Sequence, residues 1–168
     1  MDMDWENISS IDLVNYIEKE HNKYLEGIMP ELSRLTTLIL KVHESEHREL
    51  SMVHRLYHII QVDLIQQIFK EQIGIFPLIK MYTKKPSKEL LDEMLETVEN
   101  ILPLIDETKE LLNELNNITD GYTAPEDGCV TYDNTYEKLA EFESNILKKI
   151  SLEEDVLFPR LKEELDRY

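Results

Sequence analysis

Two stretches of this sequence decide its fold: residues 149–160 read KISLEEDVLFPR, and residues 67–77 read QIFKEQIGIFP. In each stretch a polar residue and a glutamate stand four positions apart on a stripe that is otherwise apolar. Spacing of four residues places two side chains on the same face of an α-helix. The pairs are Gln67 with Glu71 and Lys149 with Glu153. Both stretches therefore predict amphipathic helices whose core-facing side carries polar groups.

Outward from these stretches, four segments carry apolar residues at alternating steps of three and four, the period of a helix that faces a bundle core. The sequence also predicts a short helix after Ser9-Ser10, a helix cap at Ser87 and a kink or break at Pro103. Four such helices with short connections, the longest at 120–128, predict an all-α fold, an antiparallel four-helix bundle. The predicted core positions are Leu25, Ile28, Leu32, Leu35, Ile39 and Val42; Leu50, Val53, Tyr57, Ile60, Leu64, Gln67, Glu71 and Ile75; Leu91, Met94, Val98, Ile101, Ile105, Thr108, Leu112 and Leu115; Leu139, Phe142, Ile146, Lys149, Glu153 and Val156.

The composition is that of one helical domain. The chain has 168 residues, of which 42% are hydrophobic and 32% charged, with four glycines and six prolines. Helices need few turn residues, so this balance favours helix over sheet. We expect residues 1–168 to form a single domain, with a short N-terminal extension of about residues 1–20.

The charge balance excludes several classes of partner. Acidic residues outnumber basic residues 35 to 18, which gives a formal net charge of -17. Such a field repels phosphate backbones and anionic lipids, so we expect neither nucleic-acid nor membrane binding. The acidic start of the chain lacks the pattern of a secretory signal, and the single Cys129 cannot form an internal disulfide. The expected location is the cytoplasm.

Charged residues on core-facing stripes are the most informative feature. Burying a charged side chain at such a position costs free energy unless the charge is paired or bound to a metal. For any one residue, an error in the assumed register is the simpler explanation, but two separate pairs at i and i+4 predict a shared polar centre. His43, one turn after Ile39, is expected to join this centre from the end of the first stripe.

Three motifs resemble one protein family. Residues 67–77 are similar to its segment His-Met-x-Lys-Glu-Glu-x-x-Leu-Phe-Pro, and residues 149–160 to its segment His-Ile-x-Leu-Glu-Asn-x-x-Leu-Phe-Pro-Arg. Residues 119–129 resemble its Thr-x-x-Tyr-x-x-Pro…Cys loop. These are motifs of the hemerythrin-like iron–sulfur cluster repair proteins, also called repair-of-iron-centres proteins. The resemblance runs from about His21 to Leu161 and implies a hemerythrin-like bundle.

The resemblance also implies a metal site and a role. In that family five histidines and two glutamates hold a di-iron centre, and the proteins help to restore iron–sulfur clusters after nitrosative or oxidative stress. Glu71 and Glu153 match the bridging carboxylates, His43 matches a ligand at the end of the first helix, and His21 lies beside another ligand position. The remaining ligand positions fall on Asn22, Gln67, Ile105 and Lys149.

These replacements lead to a hypothesis about charge. A Lys149 ammonium between Glu71 and Glu153 would supply the positive charge that iron supplies in the family. Gln67 and His43 would satisfy the remaining lone pairs. These replacements then predict a protein without cofactor or catalysis that acts through a protein partner, with a homodimer as one candidate assembly. The stress or iron-handling context is what the resemblance implies.

Two other functions remain open at this stage. In the first, the chain is a working mono- or di-iron protein, for repair or for response to NO or O₂. His21, His43, Glu71 and Glu153 then bind iron together with a ligand that replaces a missing histidine. The candidate substitutes are Glu99 and Glu107. Alternatively, the bundle core holds haem or an apolar molecule.

Several side chains outside the predicted centre also have candidate roles. His54 and His58 are spaced like a helical metal pair, but the stripe turns them outward, so with His47 they are expected on the surface. Whether these histidines bind metal stays open. Tyr57 is expected in the core, where its hydroxyl could donate to Glu71.

Overall fold

The structure, a computed structural model, describes residues 3–168. It contains seven α-helices, three π-helical segments and a terminal 3₁₀ turn. The α-helices are α1 (Ser10–Tyr16), α2 (Lys23–His43), α3 (Glu49–Lys70), α4 (Phe76–Lys84), α5 (Lys88–Ile118), α6 (Val130–Ser151) and α7 (Phe158–Glu163). The π-helical segments are Ile17–Asn22, Glu71–Ile75 and Leu152–Leu157, and the 3₁₀ turn is Glu164–Arg167.

The π-helical segments join their neighbouring α-helices without a break, so the chain forms four helical rods. The rods span 10–43, 49–84, 88–118 and 130–167. Helix α2 packs against α3 and α6, and α5 packs against α3. Residues 3–168 contain no strand, and the prediction of an all-α, antiparallel four-helix bundle is confirmed. Among these residues, no helix combines the length and apolar character needed to cross a membrane.

Both predicted helix starts are confirmed by their caps. The Ser9 hydroxyl accepts the backbone N–H of Asp12 at 3.1 Å, and the Ser87 hydroxyl accepts that of Leu90 at 3.2 Å. Each cap satisfies an N–H group that has no partner within the first turn of the helix. The caps therefore fix where the first and third rods begin.

The predicted break at Pro103 is wrong, because α5 runs through it for 31 residues. A proline costs one backbone hydrogen bond, and the ring crowds the preceding turn. Ile101 and Ile105 on either side are fully buried. Their packing holds the helix together across the missing hydrogen bond.

The buried face follows the predicted stripes with three exceptions, Ile28, Val42 and Val156. All predicted positions of the second and third stripes are buried, whereas Val42 is 60% exposed in the last turn of α2. Val156 is only partly buried, and Leu157 is fully buried in its place. A π turn adds one residue to the helix, and this shifts the stripe by one position. Ile28 is also only partly buried.

The N-terminal segment is more integrated than an extension. Leu13 and Val14 in α1 are fully buried, so the first rod begins about ten residues before the predicted end of the extension. The Arg160 guanidinium donates to the carbonyl oxygen of Ile8 at 2.6 Å. This bond ties the segment before α1 to the last rod.

Candidate functional site

Every π-helical segment carries a buried polar side chain, and these converge in the bundle interior. Asn22, Glu71 and Glu153 belong to the three segments, and Lys149 lies one turn before Glu153 on α6. All four are 1% exposed. Because a π turn displaces side chains from the regular stripe, it is frequent at functional sites. We call these four residues the polar centre.

The Lys149 ammonium links the two glutamates of the polar centre. Its Nζ lies 2.9 Å from Glu71 Oε2 and 3.7 Å from Glu153 Oε1. The shorter distance is that of a hydrogen bond, but the Nζ has no hydrogen bond of acceptable geometry, so the contact is an ion pair. The ammonium thus lies within 4 Å of a carboxylate oxygen of each glutamate.

The charges of the polar centre balance if one carboxyl group keeps its proton. Burial, and then the neighbouring Glu71 carboxylate, hold the pKa of Glu153 well above its usual range, while the Lys149 ammonium opposes that rise. Neither Glu153 oxygen has a hydrogen-bond partner among the described residues. One ammonium then faces one carboxylate and one neutral acid, which is the cheapest way to bury three ionisable groups.

Asn22 and His21 both point inward but make different contacts. Asn22 Nδ2 donates to Glu71 Oε2 at 2.9 Å, the same oxygen that faces Lys149. His21 Nδ1 lies 3.0 Å from Asn145 Oδ1, and its Nε2 is buried without a partner. Burial is the main cause that lowers the pKa of His21, and Lys149 adds to it. A neutral imidazole therefore lies next to the polar centre without contacting either glutamate.

Other predicted members of the centre have different partners. Gln67 Nε2 donates to Thr108 Oγ1 at 2.8 Å, so Gln67 does not complete the hydrogen bonding of Glu71. Ile105 is fully buried among apolar residues of the core cluster. The Tyr57 hydroxyl donates to the Met29 carbonyl at 2.6 Å, and the suggested bond to Glu71 is wrong. For Gln67 and Tyr57, a partner on a neighbouring helix satisfies the polar group.

His43 lies at the opposite end of the bundle, so its prediction as a member of the centre is wrong. Asn22 directly precedes α2, and His43 is its last residue. The 21 residues of this helix, at a rise of 1.5 Å each, separate the two by about 30 Å. His43 Nε2 instead lies 3.1 Å from the Cys129 Sγ. The helical rise alone could have excluded His43 from the centre.

The other candidate ligands are not part of the polar centre in the described residues. Glu99 and Glu107 are exposed on α5. His54 and His58 are partly buried between α2 and α3, where their Nε2 atoms contact Thr37 Oγ1 at 3.0 Å and Ser33 Oγ at 2.9 Å. Both histidines are less exposed than predicted, because their ring nitrogens that face α2 lie against hydroxyl groups of that helix.

Sequence reasoning missed one group of metal-ligating side chains. Within residues 3–168, three His, Cys, Asp or Glu side chains bring ligand atoms within 4.8 Å of one another only at Glu46, His47 and Asp127. These residues lie in the two connections that follow α2 and α5. Connections have no periodicity, so no pattern placed Asp127 beside His47.

Comparison with known proteins gives this bundle a family. Residues 12–161 match the family described as Hemerythrin HHE cation binding domain. The chain belongs to this family. The hemerythrin match covers most of the chain and includes all four residues of the polar centre.

The relatives of this hemerythrin-like chain include proteins named for iron–sulfur cluster repair. It is 28% identical to the iron-sulfur cluster repair protein ScdA of Staphylococcus epidermidis over 149 residues, which cover 89% of this chain and 65% of that protein. It is 26% identical to YtfE of Enterobacter sp. over 161 residues, covering 95% of this chain and 70% of YtfE. A probable repair protein of Haemophilus influenzae is 28% identical, with 97% and 70% covered. The chain thus spans less than two thirds of the ScdA length.

Proposed function

We propose that this chain is a non-catalytic hemerythrin-like protein of the iron–sulfur cluster repair type, with its di-iron site largely lost, which acts by binding another protein. The observation that carries the proposal is Lys149, fully enclosed and 2.9 Å from Glu71. A cation already occupies the space between the two carboxyl groups. The site therefore has its compensating charge without a metal.

The chemistry of the polar centre does not fit the di-iron centre that the resemblance implies. Non-haem iron requires carboxylates and neutral imidazoles as ligands. The centre offers two carboxyl groups, of which Glu153 has a pKa raised by burial and by the Glu71 carboxylate, together with an ammonium and an amide. The one nearby imidazole, His21, is turned toward Asn145. No reaction step through iron follows from these residues.

The biological context of the proposal comes from the relatives. ScdA and YtfE are named iron–sulfur cluster repair proteins, at 26–28% identity. We therefore place this chain in iron handling or in the response to nitrosative or oxidative stress, in the cytoplasm. Its proposed ligand is a protein, and a homodimer is one form that this association can take.

One observation favours a second candidate, an iron-binding protein with substitute ligands. His21 Nε2, Glu71 Oε1 and both Glu153 oxygens are buried without hydrogen-bond partners in the described part of the chain. Unsatisfied buried donors and acceptors are costly, and a bound ion is one way to satisfy them. This alternative requires Lys149 to leave its position between the carboxyl groups.

Anaerobic loading with ferrous iron separates the two candidates. The purified chain is expected to retain far less than one iron per chain after desalting and to show no oxo-bridge charge-transfer band. The reason is that an ammonium already holds the position of the cation. Metal analysis and an absorption spectrum provide the measurement. Stoichiometric iron in the unmodified chain, together with oxo-bridge charge-transfer bands, would refute the proposal and support the second candidate.

The reverse experiment restores the histidines that the resemblance implies. The double variant Gln67→His/Lys149→His removes the ammonium and adds imidazoles one turn before each glutamate, so it is expected to gain iron in the same assay. Gln66→His/Lys148→His is the matched control, because both positions are exposed. Equal iron in the two variants would show that added surface histidines, and not the polar centre, bind the metal.

A further inference from the structure

A second cluster of ionisable side chains lies at the bundle end remote from the polar centre. The connection after α2 and the connection after α5 meet there, and His47 stands between them. His47 Nε2 is 3.1 Å from both carboxylate oxygens of Asp127, and Glu46 adds a third ligand atom within 4.8 Å. We call Glu46, His47 and Asp127 the loop-end cluster. It combines one imidazole nitrogen with two carboxylates, a set that suits borderline divalent metals such as Zn²⁺.

His47 is oriented as a metal-binding histidine usually is. Its Nδ1 lies 3.2 Å from Glu49 Oε1, while its Nε2 faces Asp127. A histidine ligand commonly donates its second ring N–H to a carboxylate, which fixes the tautomer and the ring orientation. Glu49 can do this and leave Nε2 for the cation.

The distances within the loop-end cluster allow a cation to draw the ligands together. The ligand atoms of the cluster all lie within 4.8 Å of one another. Zn²⁺ binds nitrogen and oxygen at about 2.1 Å, so a bound ion would bring these atoms closer together. Glu46 and Asp127 are exposed, so rotation of their side chains can close the difference. His47, whose side chain is 15% exposed, provides the less mobile ligand.

The surroundings of the loop-end cluster supply further polar groups. The Tyr132 ring packs at 5.6 Å from the His47 ring and 5.3 Å from the His43 ring. Tyr132 is fully buried, and its hydroxyl has no hydrogen-bond partner among the described residues. Behind it, His43 Nε2 lies 3.1 Å from the Cys129 Sγ. A thiol and a second imidazole are thus next to the cluster, as ligands of the kind that complete a zinc site.

We propose that Glu46, His47 and Asp127 bind one divalent transition-metal ion of the Zn²⁺ class. The ion joins the connection after α5 to the connection after α2 and leaves a fourth position for water or for a neighbouring ligand. This site is independent of the polar centre, from which the length of α2 separates it by about 30 Å. The proposal therefore stands or falls separately from the proposed function.

Zinc titration of the full chain, in competition with a chromophoric chelator, tests the site. We expect one tight equivalent of Zn²⁺ and a rise in melting temperature on addition, since the ion binds only the folded chain. His47→Ala and Asp127→Asn are each expected to weaken binding by about tenfold or more, because loss of even an indirect supporting group has about that effect. Circular dichroism confirms that each variant is folded.

His54→Ala is the matched control, because His54 is a second partly buried histidine and lies on α3, outside the loop-end cluster. It should bind zinc as the unmodified chain does. No tight equivalent in the unmodified chain would overturn the proposal. So would an equal loss in His54→Ala and His47→Ala, or a loss that follows Glu153→Gln, because binding would then be non-specific or at the polar centre.

Discussion

Replacing Lys149 with methionine is expected to lower the free energy of unfolding by about 3–5 kcal/mol, the range for breaking a buried ion pair by removing one partner. Methionine keeps the volume of the side chain but removes the charge. Glu71 then loses the ammonium at 2.9 Å, and nothing balances the carboxylate in a position that is 1% exposed. Chemical denaturation at neutral pH measures the effect.

Lys148→Met is the matched control for this experiment. Lys148 is the exposed neighbour of Lys149 on the same helix, so its replacement should change stability by no more than about 0.5 kcal/mol. Adding Glu71→Gln to Lys149→Met should recover part of the loss, since removing both partners of a buried pair costs less than removing one. If Lys149→Met is as harmless as Lys148→Met, the ammonium does not balance the buried carboxylates.

Replacing Glu153 with glutamine is expected to remove a pH-dependent part of the stability. Burial and the Glu71 carboxylate raise the pKa of Glu153 in the folded chain. Its proton therefore favours the folded state fully below the ordinary value of 4.5, and this stabilisation is lost as the pH rises through the folded pKa. The loss has a slope of up to about 1.4 kcal/mol per pH unit. Glutamine cannot ionise, so the free energy of unfolding of the variant should rise relative to that of the unmodified chain as the pH rises above 4.5.

Denaturation midpoints across a pH series, converted to free energies, provide this measurement. A series of pH values is more informative than a single one, because the expected difference between the two proteins changes with pH. Glu163→Gln is the control, because Glu163 is exposed and its curve should run parallel to that of the unmodified chain. Parallel curves for Glu153→Gln as well would mean that the pKa of Glu153 is not raised in the folded protein.

The pairs at i and i+4 could be identified from the sequence because helical periodicity is local. Glu71, Lys149 and Glu153 are buried together, as the interrupted stripes indicated. The same reasoning failed for His43, because position on a stripe says which face a residue occupies and not how far along the helix it lies. About 30 Å of α2 separates it from the centre.

Some contacts depend on irregular backbone that no stripe encodes. Asn22 ends the π-helical segment Ile17–Asn22, is buried and donates to Glu71 from there. A similar turn buries Leu157 where the stripe indicated Val156. Spacing alone does not show where a π turn adds a residue, so the register after it cannot be read from the stripe.

The sequence by itself determined the class of fold, the four rods and the presence of charge in the core, because each of these follows from spacing within a single helix. Only the tertiary structure decided which charges meet. It placed Lys149 against Glu71, turned His21 toward Asn145 and brought Asp127 to His47 from a different connection. Such contacts join residues far apart in the chain, and their distances depend on how the rods pack rather than on the order of residues within one rod.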